Sequence, residues 1–384
     1  MERKPLFRNS LFAFRGYNVT NLGSTPELLE HALYGETVRE YLEHASVVCE
    51  EMVQRPIDLV KRVRERRETD LASYDEAIAM IMAVEMAHLA LLERHFGFPL
   101  TNASLVCGFS LGELSAVVAC GLFELDDVMR IPLAVASDCV KLAEGVTLGV
   151  LFSRGQRLSF DKAYRLCLEI NAEGRGVVGI SCHVAPNSFL LVGQGDTLDR
   201  FEARMHEMSE DRLHLRRNDY QWPPLHTPIM WQKHIPNRSS QMMLTLPGGL
   251  QKPNPPILSL ATGHVSYTDT NAREILARWV DHPQRLWYAI DYTLSAGVET
   301  IVHVGPQPNI IPGTFQRLAA NVEAQTRGRV GMRALSTIIR RPWLQSLLPK
   351  RANLLRAPIV RHVFLEDWLL DQNGPSAKSP PEVK

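Results

Sequence analysis

The chain has 384 residues, 45% of them hydrophobic and 22% charged, and its 42 basic and 42 acidic side chains cancel. That length gives room for one large α/β unit or two modest domains, and the balanced charge excludes a global field drawing nucleic acid or an anionic membrane. Cys49, Cys107, Cys120, Cys139, Cys167 and Cys182 show no C-x-x-C spacing and mostly sit in apolar segments. Reduced core cysteines in a cytoplasmic protein are therefore expected, and no metal. Met1-Glu-Arg-Lys-Pro5 lacks the apolar stretch of a signal peptide, and no run approaches the roughly 18 apolar residues of a membrane span.

In chain order, Leu11 to Phe14 reads as a first buried strand, and Arg15 to Gly23 as a glycine-containing loop of the kind that borders active sites in α/β sheets. Glu27 to Val53 is largely helical with a break near Tyr34-Gly35. Arg55 to Thr69 is charged; its Lys61, Arg62, Arg64, Arg66 and Arg67 read as a solvated helix face, with docking of an acidic carrier protein as the other reading. Tyr74 to Phe96 has helical spacing, with Ile78, Met82, Met86, Leu89 and Leu92 on one side, and Gly97 and Pro99 end it.

Ser104 to Gly121 is the stretch on which the chemistry turns. A short β-prone run to Cys107 meets Gly108-Phe-Ser-Leu-Gly112, and Leu111 to Ala119 then shows helical spacing. Strand, G-x-S-x-G and helix together read as a nucleophile elbow. Ser110 falls at the helix N-terminus, where free N–H groups and the helix dipole favour negative charge developing on a substrate oxygen.

Leu125 to Val140 reads as a helix kinked or restarted near Pro132. Residues 147–217 follow a β-α-β-β-α-β order, the ferredoxin-like pattern, and look like a small insert in a larger α/β unit. The main unit resumes with a proline-stiffened loop carrying His226, a helix around Met230 to Leu244, a strand at Pro256 to Gly263, helices at Ala272 to Val280 and Pro283 to Leu294, a strand at Thr300 to Val304 and a helix from about Ile310. The expected organisation is a large α/β-hydrolase-like subdomain with a parallel sheet (1–146 and 218–337), a ferredoxin-like subdomain (147–217), a basic extension (338–373) and a disordered tail (374–384).

An activated serine needs a base within hydrogen-bond reach. Thirteen histidines compete. His226 differs because its loop returns to the main unit and its prolines restrict motion, but spacing alone leaves other histidines open.

Four landmarks in order carry a resemblance: Gly108-Phe-Ser-Leu-Gly-Glu113, Leu225-His-Thr-Pro-x-Met230, Asp281-His-Pro-x-x-x-Trp287 and His303-Val-Gly-Pro306. Over about residues 11–320 the sequence resembles the malonyl-CoA:acyl-carrier-protein transacylase family, including the acyltransferase domains of polyketide synthases. The resemblance implies ping-pong acyl transfer in fatty acid or polyketide biosynthesis, from acyl-coenzyme A as substrate, with no permanently bound cofactor, to the phosphopantetheine thiol of an acyl carrier protein. It implies Ser110 as nucleophile and His226 as base and then acid. It implies the backbone carbonyl of Trp279, where the family usually has glutamine, as orienter of the base. The oxyanion hole is implied to be the N–H groups of Leu111 and Arg15. Without synthase or carrier segments the chain is expected to work in trans.

Departures from the pattern are equally informative. Phe14-Arg-Gly-Tyr-Asn18 replaces the family's G-Q-G-S-Q, Phe109 replaces the histidine before the serine, and Ala261 replaces a common asparagine. Malonyl-specific members carry an arginine about 25 residues after the serine; counting without gaps lands on Val135, and no arginine occurs between Arg130 and Arg154. Leaving a buried carboxylate unpaired costs roughly 3–5 kcal/mol, a factor of about a hundred or more against malonyl. Either the acyl group lacks a carboxylate and Val135 lines an apolar pocket, or Arg15 supplies the cation; Arg15, Phe109 and Val135 are the residues expected to touch substrate. Three other readings stand beside acyl transfer: an α/β-hydrolase-type serine hydrolase, an acyl hydrolase editing a carrier protein, and a catalytically weakened synthase partner.

Overall fold

In Ser10–Phe14 (β1) every residue is buried. Phe12 and Phe14 face one core while Leu11 and Ala13 face another. Such a strand reads as continuously apolar because both faces of its sheet are covered. The computed structural model describes residues 7, 9–327, 344, 347 and 351–372. Its main sheet has the order β10-β9-β1-β2-β7-β8. The strands are β1, β2 (Leu105–Gly108), β7 (Ile257–Ser259), β8 (His264–Val265), β9 (Thr300–Val304) and β10 (Arg361–Phe364). All neighbours run parallel except β7 and β8.

Between β1 and β2 the chain forms α1 (Thr25–Glu30), α2 (Gly35–Val53), α3 (Leu59–Arg64) and α4 (Tyr74–Phe96). The last of these is buried on all sides from Ala77 to His88, not along one stripe, because α2 packs against it on one side and the helices that follow β2 on others. After β2 come α5 (Leu111–Ala119) and α6 (Leu125–Ala143); α6 runs through Pro132 without restarting.

A second, antiparallel sheet has the order β4-β5-β3-β6. Its strands β3 (Val146–Ser153), β4 (Val178–Ala185), β5 (Ser188–Gln194) and β6 (Leu213–Asn218) carry α7 (Phe160–Ala172) and α8 (Thr197–Arg204) on one face. Main-chain bonds tie β4 to the main unit at the loop over residues 280–285: His183 N–H donates to Gln284 O at 2.8 Å, and Gln284 N–H donates to Ser181 O at 2.8 Å. The remaining helices are α9 (Ile235–Thr245), α10 (Ala272–Trp279), α11 (Leu286–Ser295), α12 (Ile310–Arg327) and α13 (Leu365–Leu370). No helix among the described residues is long and apolar enough to cross a membrane. All six cysteines are free and buried.

Two sequence expectations fail here. Arg62 is not on a solvated face: it is 7% exposed, and its Nε donates to Glu76 at 2.6 Å. A charge run cannot reveal that one member has a buried acid waiting on another helix. Within the expected basic extension, the described strand β10 does not stand apart: it pairs with β9 and extends the main sheet. Arg361 and His362 mask a strand whose inward residues are few. Residues 328–343 and the tail 374–384 lie outside the described residues.

Candidate active site

The elbow depends on two glycines. A Cβ on Gly108 would sit 2.0 Å from Gly112 O, and one on Gly112 would sit 2.5 Å from both Phe14 O and Arg15 O. Both contacts are impossible for any other residue, so β2, α5 and β1 can close up only with glycine there. The resulting turn holds Ser110 at φ 53°, ψ −119°, a conformation that costs roughly 1–3 kcal/mol and must be held by its surroundings.

Those surroundings are visible. Ser110 N–H donates to Gln284 Oε1 at 3.1 Å, and Ser110 O accepts from Trp279 Nε1 at 2.6 Å and from Glu113 N–H at 2.9 Å. Glu113 anchors α5 in turn: its buried carboxyl accepts from Tyr267 Oη at 3.1 Å, from the N–H groups of Leu260 and Ala261, and from Ser259 Oγ. Burial pushes that carboxyl up to about 7.

His226 reaches Ser110 from the loop after β6. Its Nε2 lies 2.7 Å from Ser110 Oγ, and its Nδ1 lies 2.7 Å from Trp279 O. A carbonyl can only accept, so the proton sits on Nδ1, and Nε2 is left to accept the serine proton. Gln284 Nε2 is also 3.3 Å from Nδ1; with that nitrogen protonated the approach is a contact, not a hydrogen bond. His226 has φ 66° and is pinned by its N–H to Val280 O at 2.8 Å. Burial lowers its pKa to about 4, with the Trp279 carbonyl opposing. The ring is therefore neutral at neutral pH. No carboxylate bonds to it: Asp281 is engaged by Trp231 and His282.

Ser110, His226, Trp279 and Leu111 are thus brought together as the sequence expects, and the Leu111 N–H meets no acceptor among the described residues. Phe109 and Ser110 both line a cavity of about 440 Å³ between the two sheets. Arg15 does not take the expected place. Its main-chain N–H donates to Glu85 Oε1 at 2.9 Å and to Val304 O at 3.3 Å. Arg15 is 3% exposed, and its guanidinium donates to Gly16 O and Asn21 Oδ1 of its own loop and to Pro306 O of the loop after β9. A loop whose carbonyls are buried needs donors, and one guanidinium supplies five. Val135 is also misplaced: it is 2% exposed inside the main core and does not line the cavity.

Sequence reasoning missed three features. Gln284 was an unread position inside the Asp281 to Trp287 landmark. The Trp279 indole braces the serine that its own carbonyl serves through His226. Gly16 packs so close that a Cβ there would meet Ser110 Cβ at 3.1 Å, and its N–H has no acceptor among the described residues.

No protein-family model and no curated protein sequence matches the chain. Its fold is that of solved malonyl-CoA:acyl-carrier-protein transacylases. The enzyme from Xanthomonas oryzae aligns with TM-score 0.63 at 20% identity over 80% of this chain and 91% of that one. The one from Coxiella burnetii aligns with TM-score 0.63 at 16% identity over 91% and 99%. A malonyl-transacylase solved in complex with a type II polyketide-synthase acyl-carrier protein aligns with TM-score 0.61 at 17% identity over 80% and 92%.

Proposed function

We propose that this chain is a serine/histidine acyltransferase that carries an acyl group from acyl-coenzyme A, through an ester on Ser110, to the phosphopantetheine thiol of an acyl carrier protein. The observation that carries this reading is the line Ser110 Oγ to His226 Nε2 and His226 Nδ1 to Trp279 O, each 2.7 Å, in a cleft with an uncommitted N–H at Leu111. We read the main sheet and its helices (1–146 and 218–337, with the β10 segment) as the large α/β-hydrolase-like subdomain and 147–217 as a ferredoxin-like insert. Fatty acid or polyketide synthesis in the cytoplasm, with the carrier supplied in trans, is the setting this implies.

The chemistry runs in two halves. Ser110 Oγ attacks the thioester carbon as Nε2 takes its proton. The C–S bond then breaks, and the coenzyme A thiolate leaves with the proton from Nε2. In the second half Nε2 removes the proton of the carrier thiol, the thiolate attacks the seryl ester, and Oγ leaves by recovering that proton. Each half passes through an oxyanion, for which the Leu111 N–H at the start of α5 is one donor. The Arg15 N–H is committed to Glu85, so the second donor is assigned to Gly16. A backbone carbonyl holding the imidazole suits a neutral base that gains and loses one proton per half.

Intact mass after incubation with malonyl-, acetyl- and octanoyl-coenzyme A tests the reading. An acyl adduct is expected on the native protein, reduced by about three orders of magnitude or more in Ser110→Ala and His226→Ala. Adding a carrier protein should discharge the adduct as acyl-carrier product. Release as free acid instead identifies an editing hydrolase, and no adduct with any donor leaves a weakened synthase partner.

A further inference from the structure

Three cavities adjoin one another through shared walls. The outer groove, about 650 Å³, is bordered by Arg154, Arg216, Arg217 and Arg317. The middle cavity, about 440 Å³, holds Ser110 and His226. The third, about 420 Å³, lies between α2, α4 and α6 and opens to solvent past the exposed Arg55, Ser137 and Lys141. Shared walls mark the junctions. Val184, Ser188, Thr314 and Arg317 border both outer and middle cavities, and buried Tyr74 separates the middle cavity from the third.

Charge is distributed unevenly along this path. Among the described residues lining the middle cavity, Arg317 is the one Lys, Arg, Asp or Glu, and it stands exposed at the outer junction. Inward of that junction the walls include Tyr17, Tyr74, Trp222, Leu148, Val192 and Leu225, and the polar side chains among them, such as Asn18 and Ser181, carry no charge. Tyr17 meets Tyr74 edge-on with ring centres 4.8 Å apart, and Trp222 edge-on at 6.1 Å. None of the three residues that the sequence offered for substrate contact changes this balance, because the Arg15 guanidinium is bonded to main-chain carbonyls and Asn21, Val135 is in the core, and Phe109, which does line the cavity, is uncharged. A carboxylate at this end would lose its water and meet aromatic rings with no cation. A hydrocarbon chain would lose only unfavourable contact with water.

We propose that the inner cleft takes an uncharged, hydrocarbon-rich acyl chain against Tyr17, Tyr74 and Trp222, with Tyr74 as the end wall that limits its length. The thioester nature of the ligand rests on the acyl-transfer reading; the apolar occupant rests on the cavity walls.

Ser110→Ala allows the acyl end to be weighed without turnover, because octanoyl- and malonyl-coenzyme A present the same coenzyme to the outer groove. Calorimetric titration is expected to give octanoyl-coenzyme A a Kd lower by about tenfold or more. Equal affinity, or tighter malonyl binding, overturns the proposal. On the Ser110 protein, adduct mass is followed across acetyl, octanoyl and palmitoyl donors for native and Tyr74→Ala, with Tyr74→Leu as the milder variant if Tyr74→Ala does not fold. The palmitoyl-to-octanoyl ratio should rise severalfold once the wall to the third cavity is opened; an unchanged profile in a folded variant removes the end wall. Octanoyl preference in binding without any adduct would leave this pocket assignment standing and end the acyl-transfer reading. Faster malonyl than octanoyl loading would do the reverse.

Discussion

On one side of the cleft the elbow holds Ser110 by its N–H, its carbonyl and its hydroxyl, through Gln284, Trp279 and His226, while leaving the next N–H, of Leu111, uncommitted. On the other side, the loop after β1 commits both its first N–H and its first side chain to the interior: Arg15 N–H to Glu85, and the Arg15 guanidinium to Gly16 O in its own loop and Pro306 O in the loop after β9. The elbow tolerates backbone strain so that donors face the cleft. The loop satisfies its polar groups internally and contributes shape, through Gly16 and Tyr17, in place of charge. A reacting group and the wall opposite it are thus under different demands, and the wall is where this chain departs most from the family pattern.

Three perturbations probe that contrast. The largest effect is expected where the sides touch. Gly112→Ala places a methyl group 2.5 Å from Phe14 O and Arg15 O, which should cost about 3 kcal/mol or more in urea unfolding and abolish the adduct together with the fold. A stable, active Gly112→Ala would show that the elbow does not need this close approach.

Trp279→Phe strips one tie from the elbow alone. The carbonyl serving His226 stays, and Ser110 O keeps Glu113 N–H but loses the indole donor. A loss of about 1 kcal/mol is expected, read as a lower Tm and an adduct rate reduced about fivefold. An unchanged rate would mean the indole only fills space.

The effect that is smallest at low pH belongs to the loop side. Burial pushes Glu85 up to about 8, so the folded chain holds a proton there that the unfolded chain, at an ordinary glutamate pKa of about 4.5, does not. Stability from this group is present below about pH 4.5 and declines by up to about 1.4 kcal/mol per pH unit as pH rises toward 8. Glu85→Gln should be near neutral at low pH and should flatten that decline in urea unfolding measured from pH 5 to pH 8. An equally steep decline in the variant would assign it to another group.

Much of this architecture was legible because it is written in local patterns. The bounds of α4 and α5, the meeting of a serine after a glycine turn with a histidine in a proline-rich loop, and the β-α-β-β-α-β order all follow from short-range spacing. What was not legible depends on where a side chain turns after the backbone is placed. Arg15 stands at the expected position in the loop, yet a buried glutamate 70 residues away captures its N–H. Val135 satisfies a count from Ser110, but α6 turns that position into the core. Gln284 belongs to a landmark whose outer residues drew attention, while its amide is the part that touches Ser110.

Gln284 has a mechanical consequence. Its main chain is stitched to Ser181 and His183 of the antiparallel sheet, and its side chain grips Ser110 N–H on the main sheet. The same residue is therefore both the spine joining the two layers and the clasp on the serine. A change at this one residue therefore reaches both the seating of β4 and the hold on the Ser110 N–H.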